Sequence, residues 1–191
     1  SRHPDTFILW QQAIIGIAGA GGLGSNIAVS LTRAGIGKLI IADFDTISLE
    51  NLNRQQYTIN QVGQLKVNAL QHNIMAINPF ISLEIHPTRI DKDNINSIFG
   101  LADILIEAFD DASQKEMLIS CWMELYPEKP IIAASGLAGY GNNAAIITHQ
   151  YGKLYVIGDH ASEIIPGVSP IAPRVAIVAN MQANLALELL G

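Results

Sequence analysis

A chain of 191 residues, 49% hydrophobic and only 15% charged, is long enough for one domain with a sizeable core and too short for two comfortable ones. Its 17 acids against 11 lysines and arginines leave a formal charge of −6, which argues against a nucleic-acid surface, because such a surface needs a basic stripe. The single cysteine, Cys121, excludes a disulfide framework and any zinc site built from paired CxxC motifs.

The start, Ser1-Arg2-His3-Pro4-Asp5, lacks the apolar core of a signal peptide, and no uncharged apolar run reaches the roughly 18 residues of a membrane span. A soluble cytoplasmic protein of one domain, residues 1–191, is therefore expected, without a membrane partner. The missing initiator Met suggests a trimmed or processed chain.

The patterned part opens with an apolar strand (Ile14, Ile15, Ile17), turns through Gly19-Ala20-Gly21-Gly22-Leu23-Gly24, enters an apolar helix from Ile27 to Ala34 and returns as a strand from Lys38 to Ala42. Glycines at such a turn let backbone N–H groups approach a phosphate, and the helix N-terminus adds partial positive charge. Asp43-Phe44-Asp45 follows, an acid where ribose hydroxyls are bonded. Asn51-Leu52-Asn53-Arg54-Gln55 then brings the planar fork of Arg54 to the same sheet edge. Asn51 to Gly63 reads as a loop with a helical turn, placed over the pocket.

From Gln64, the spacing of Leu65, Leu70, Ile74, Met75 and Ile77 predicts a helix that ends at Asn78-Pro79. Lys66 lies in its first turn, where the dipole opposes a cation, which favours a ligand role. Ile81 to His86 alternates as a strand near a sheet edge, and Asp91 to Phe99 holds a short helix. Asp103 to Ala108 predicts a buried strand running into Phe109-Asp110-Asp111, acids on the rim where open α/β sheets bind ligands. A helix (Ala112 to Leu125), a strand (Pro130 to Ser135) and an antiparallel hairpin (Ala144 to Thr148 with Lys153 to Ile157) come next. Gly158 to Ala172 reads as a mobile crossover loop, and Pro173 opens a last helix, Arg174 to Leu190, apolar almost all round. The expected fold is α/β: a three-layer Rossmann-like domain, mostly parallel, with appended antiparallel strands.

A lone GxGxxG is weak, but here it follows a strand, opens a helix and precedes an acid at about the 20-residue spacing of nucleotide sites. A nicotinamide dinucleotide satisfies these features equally well. Plainer readings exist for each residue: Arg54 and Lys66 as solvated charges, Asp43 as a turn cap with Asp45, and Asp110 or Asp111 as the cap of the following helix, Asp111 being the better placed. The five histidines show no ligand spacing, although His160 and its neighbour Asp159 stay open as catalytic candidates in the loop. Cys121 reads as a buried inert thiol.

The glycine turn, Asp43-Phe44-Asp45, Asn51-Leu52-Asn53-Arg54-Gln55, Val62-Gly63-Gln64-Leu65-Lys66 and Phe109-Asp110 together resemble, in order and spacing, the ThiF/MoeB/ubiquitin-activating superfamily, from about Gln11 onward. The Asn-Leu-Asn-Arg-Gln block is its specific part, and the short ThiF-like thiamine-biosynthesis proteins are the nearest in kind. The resemblance implies ATP- and Mg²⁺-dependent adenylation of the C-terminal Gly-Gly carboxylate of a ThiS-like, ubiquitin-fold sulfur-carrier protein, with release of pyrophosphate, by a homodimer. It further implies that Gly19, Gly21, Gly22 and Gly24 cradle the nucleotide and that Asp43 bonds the ribose. Asn51, Arg54 and Lys66 would hold the phosphates and Asp110 the metal, with Asp45, Gln55 and Asp111 completing the site.

Arg2 loosely matches an arginine that relatives send into a partner subunit, against the plainer reading of a frayed terminus. The chain departs from many relatives in lacking both zinc-binding CxxC pairs and a loop cysteine, so no zinc is expected and the chemistry should stop at the acyl-adenylate. Three other readings stay open: an NAD-dependent oxidoreductase, which leaves Asn51 to Arg54 unexplained; a tRNA threonylcarbamoyladenosine dehydratase-like enzyme; and a non-catalytic E1-like binding partner.

Overall fold

Short runs of Ile, Leu, Val and Ala suit fully buried strands and form the middle of a seven-stranded sheet, whose edge strands are more polar and more exposed. The strands are Ile14–Ala18 (β1), Lys38–Ala42 (β2), Ser82–His86 (β3), Ile104–Glu107 (β4), Ile131–Ala134 (β5), Ile147–Tyr151 (β6) and Leu154–Gly158 (β7). The computed structural model describes residues 4–161 and 169–191. Within them the sheet order is β3-β2-β1-β4-β5-β7-β6, parallel throughout except for the antiparallel β6–β7 pair. The helices are Pro4–Gln12 (α1), Gly22–Ala34 (α2), Lys66–Ile77 (α3), Ile95–Phe99 (α4), Ala112–Leu125 (α5) and Ala172–Leu190 (α6).

Alternation along the strands divides the core into two layers, one on each face. Ile15, Ile17, Leu39, Ile41, Ile104, Ile106 and Ile132 pack with apolar side chains of α2, α3 and α6. Ala18, Ile40, Ala42, Leu105 and Ile131 pack instead with Ile95, Ile98 and Phe99 of α4 and with Leu118 and Trp122 of α5. The result is a three-layer, Rossmann-like α/β fold. Register places Ala18 beside Ala42 on one side and Glu107 on the other. Strand order reverses between β1 and β4, and a ligand crevice is expected there, outside the carboxyl ends of the strands.

The structure departs from the sequence reading in three places. Helix α1 forms where no element was expected; its Trp10 donates to Leu187 O at 3.2 Å, and Phe7 lies over Gly35. Arg2 and His3 lie outside the described residues. The short helix starts at Ile95 rather than Asp91, because the Asp91 carboxylate takes the N–H groups of Asp93 and Asn94 at 2.9 and 3.1 Å and holds a turn ahead of it. The first hairpin strand runs from Ile147 to Tyr151 instead of from Ala144 to Thr148, since the two-residue turn is Gly152-Lys153, with Gly152 at φ +61°. Of the loop expected to be mobile, residues 162–168 lie outside the described residues, while Asp159 is paired with Arg174 at 2.5 Å.

Candidate functional site

The chain leaves β1 at Gly19, whose φ of +104° is open to glycine without penalty. A Cβ on Gly24 would lie 1.8 Å from Gly19 O, so the missing side chain lets α2 press directly on the turn. Gly24 therefore stands behind the cleft and does not line it, which corrects its expected contact with a nucleotide. Gly19, Gly21 and Gly22 do line it. A Cβ on Gly21 would meet only Gln55 Nε2, at 3.7 Å.

Asp43 fastens this turn to β2. Its Oδ2 accepts the Ala20 N–H and its Oδ1 the Asp45 N–H, both at 2.7 Å. Burial pushes the Asp43 carboxyl above its ordinary range, against the pull of the Ala20 N–H and of Lys66. Tyr57 donates to Ala20 O at 2.6 Å, and burial, then the Asp43 charge, pushes its phenol up.

The Asn51 to Gln55 block is sewn onto the start of α2. Asn26 Nδ2 donates to Arg54 O at 3.0 Å and to Gly22 O at 2.6 Å, while Gln56 N–H reaches Ser25 Oγ at 3.1 Å. Asn51 Oδ1 accepts the Ser48 N–H at 3.0 Å in a capping box, which leaves its amide NH₂ as the donor. The Arg54 guanidinium donates to Asn53 Oδ1 at 2.8 Å and Glu50 O at 3.3 Å. Lys66, 7% exposed, holds Asp45 Oδ2 at 2.8 Å. Gln55 is buried, and its Oε1 has no hydrogen-bond partner among the described residues.

Across the cleft, β4 delivers Asp110, which is exposed and makes no hydrogen bond or ion pair among the described residues. Asp111 is the N-cap of α5, accepting Gln114 N–H at 2.8 Å; the Ser113 hydroxyl, then that N–H, hold its carboxyl below the ordinary range. The cleft has a volume of about 1160 Å³, above the roughly 300–1,000 Å³ of small-ligand pockets. It brings together every sequence-predicted site residue except Gly24.

Four residues of the cleft and its walls escaped the sequence reading. Lys115 lines the cleft and binds fully buried Glu107 at 2.5 Å. Arg89 also lines it, with its guanidinium 5.6 Å from the Phe44 ring centroid. Arg174 is buried, pairing with Asp159 and donating to Gly141 O at 2.6 Å. An acid ending a buried strand with a lysine eight residues on was the available signal for the first pair, and an arginine opening an apolar helix for the last. Cys121 is half-buried and is not part of the cleft lining.

This arrangement can hold a polyanion between the N-terminus of α2 and the Arg54–Lys66 rim. Among the described residues no group of three or more His, Cys, Asp or Glu could enclose a metal ion. A single free carboxylate facing a phosphate site does suit Mg²⁺, which takes one or two carboxylates plus phosphate oxygens and water.

The model of the ThiF family matches residues 9–191. Adenylyltransferase and sulfurtransferase UBA4 of Candida albicans is 32% identical over 140 residues, covering 73% of this chain and 32% of that protein. Molybdopterin-synthase adenylyltransferase of Salmonella typhimurium is 27% identical over 188 residues, covering 95% of this chain and 74% of that one. Against the first curated relatives it matches, UBA4 and a mosquito MOCS3 from Culex quinquefasciatus, this chain spans about a third of their length, 32% and 33%. Among solved structures, E. coli tRNA N6-threonylcarbamoyladenosine dehydratase, TcdA, in complex with ATP has a TM-score of 0.88 at 21% identity, covering 98% of this chain and 89% of that one. E. coli MccB with ATP has a TM-score of 0.73 at 22% identity, covering 97% and 57%. These two are likenesses of fold.

Proposed function

Because this chain belongs to the ThiF family, we propose that it is an ATP- and Mg²⁺-dependent adenylyltransferase that activates the C-terminal Gly-Gly carboxylate of a ThiS-like sulfur-carrier protein, in thiamine biosynthesis. The observation that carries this reading is the convergence in one cleft of the glycine turn, Asp43, the Arg54–Lys66 rim and the free Asp110 carboxylate. Adenylyltransferases among the relatives and an ATP complex among the fold neighbours support it.

In the reaction a carrier carboxylate oxygen bonds to the α-phosphorus of ATP, the bond from that phosphorus to the bridging oxygen breaks, and pyrophosphate leaves with the electron pair. Both reactants are anions, so the site must neutralise charge and keep attacker and leaving group in line. Arg54 supplies a planar donor fork; Lys66, held by Asp45, a point charge; and Asn51, its amide NH₂. The Asp43 carboxylate keeps lone pairs for ribose hydroxyls beside the Ala20 and Asp45 N–H groups, and Gln55 Oε1 has none of its acceptor capacity used. Asp110 would hold the Mg²⁺ ion, whose charge would offset that of the phosphates. No protein nucleophile is needed, and the placement of Cys121 away from the cleft lining supports an enzyme that stops at the acyl-adenylate.

The test is carrier-dependent exchange of pyrophosphate into ATP. Arg54→Ala should lower the exchange rate about 10²-fold or more, the scale of losing a donor to transition-state charge, with an unchanged melting temperature. Wild-type exchange in that variant would remove the site assignment. Binding of NAD but not ATP would favour the oxidoreductase.

A second reading is favoured by the TcdA likeness, which covers 89% of that chain: the same adenylation applied to a threonylcarbamoyl carboxylate on tRNA.

A further inference from the structure

Glu107 is the one fully buried carboxylate of this chain among the described residues, and the proposed reaction gives it no part. It ends β4, three residues before Asp110. Its Oε1 accepts the N–H of Phe109 at 2.7 Å, closing a tight turn over two residues. Its Oε2 takes Lys115 Nζ at 2.5 Å, and that same ammonium donates to Ala134 O, at the end of β5, at 2.8 Å. From the other face of the sheet, buried Gln182 of α6 donates to Glu107 O at 3.1 Å and to Ile132 O at 3.4 Å. Four elements, β4, β5, α5 and α6, are thus fastened to one residue immediately behind the cleft.

The consequence falls on Asp110. Ala108 N–H is bonded to Ala18 O at 2.9 Å and Phe109 N–H to Glu107, while Asp111 is fixed as the N-cap of α5. Asp110 is the single residue between these anchors whose side chain is left free. A buried ion pair is a poor source of net stability, because desolvation offsets most of its Coulomb gain. What it supplies here is a fixed direction for the next carboxylate. The geometry points to Glu107, held by Lys115, as the positioning residue that aims Asp110 at a divalent cation on the nucleotide phosphates. This inference rests on the reading of Asp110 as the Mg²⁺ ligand.

The test compares ATP affinity by calorimetry in excess EDTA and in excess Mg²⁺, the ratio being the metal enhancement. Asp110→Asn should abolish it. The double substitution Glu107→Leu with Lys115→Met replaces the pair by apolar side chains of similar volume, which proteins often tolerate, and removes the acceptor from Phe109 N–H. It should lose about 10-fold or more of the enhancement, the scale of outer-shell losses at metal sites; because the enhancement is a ratio, any change in EDTA affinity from losing the Lys115 cation is divided out. Glu107→Gln keeps an acceptor for that N–H and should retain the enhancement within about threefold.

A double variant that folds and keeps the full enhancement overturns the inference, and so does a Glu107→Gln loss as deep as the double variant's. An Asp110→Asn protein with unchanged enhancement overturns the metal assignment itself, a different failure. If the double variant does not fold, amide exchange on the wild type decides: Phe109 N–H should be protected about 100-fold or more without nucleotide, and an unprotected amide overturns the inference.

Discussion

Asp43 is pulled two ways. As a partner for the Ala20 and Asp45 N–H groups it is best ionised, yet burial, the largest influence on it, raises its folded-state pKa above the ordinary 3.8. The folded protein therefore binds a proton there more readily than the unfolded chain does. The stability this brings is fully present below the unfolded value and is lost as pH rises through the folded one. Asp43→Asn cannot ionise, so its melting temperature relative to wild type should become more favourable as pH rises from about 4 through the folded-state pKa of Asp43. A difference that instead becomes less favourable over that range would show that the two N–H bonds, and not burial, govern the group. The same variant should bind ATP about 10-fold more weakly, the cost of losing a charged hydrogen-bond acceptor. Asp43, Arg54 and Lys66 were legible in the sequence because residue type and spacing within one stretch define them. Glu107, Lys115 and Gln182 were not, because they meet only once β4, β5, α5 and α6 are neighbours.

At the scale of the element, α2 and its turn separate two kinds of glycine. A Cβ at Gly24 would strike Gly19 O at 1.8 Å, a backbone atom that cannot yield without moving the turn. Gly24→Ala should therefore cost about 1–3 kcal/mol by overpacking, lowering the melting temperature by roughly 3–10 °C and loosening nucleotide binding with it. Gly21→Ala meets nothing closer than 3.7 Å. It should fold like wild type while its methyl group stands in the cleft and weakens ATP binding about 10-fold. Calorimetric melting and titration of both variants check the contrast, and a stable Gly24→Ala with normal binding would refute the close-packing argument. Strand runs such as Lys38 to Ala42 were legible because burial on both faces demands apolar residues throughout. Helix α1 was not: Phe7, Ile8, Leu9 and Trp10 are consecutive, with Ile8 and Leu9 exposed, so no helical period shows. The start of β6 was missed because the strand is largely exposed on both faces and carries no alternation to fix it.

For the whole molecule, the order of strands decides which loops meet, and nothing local in the chain encodes that β1 lies between β2 and β4 or that β5 adjoins β7. Charge acts on the same scale and separates the two adenylation readings, which share a cleft and differ in what must dock beside it. Four of the 11 lysines and arginines, Arg54, Lys66, Arg89 and Lys115, line that cleft beside five of the 17 acids, so outside it seven cations stand against 12 acids and the rest of the chain is acidic. A nucleotide needs only the local cluster, whereas tRNA would have to approach along the acidic remainder. Neutralising Z phosphates makes log K fall with log salt at a slope near −0.9Z on duplex and about −0.7Z on single strands. This chain, with few cations outside the cleft, should show tRNA binding by filter retention that is undetectable near physiological salt, with a slope shallower than about −2 at low salt. Tight tRNA binding with a slope of about −4 or steeper would mean that cations outside the cleft converge on RNA, and it would replace the carrier-protein reading with the dehydratase-like one while leaving the ATP site as described.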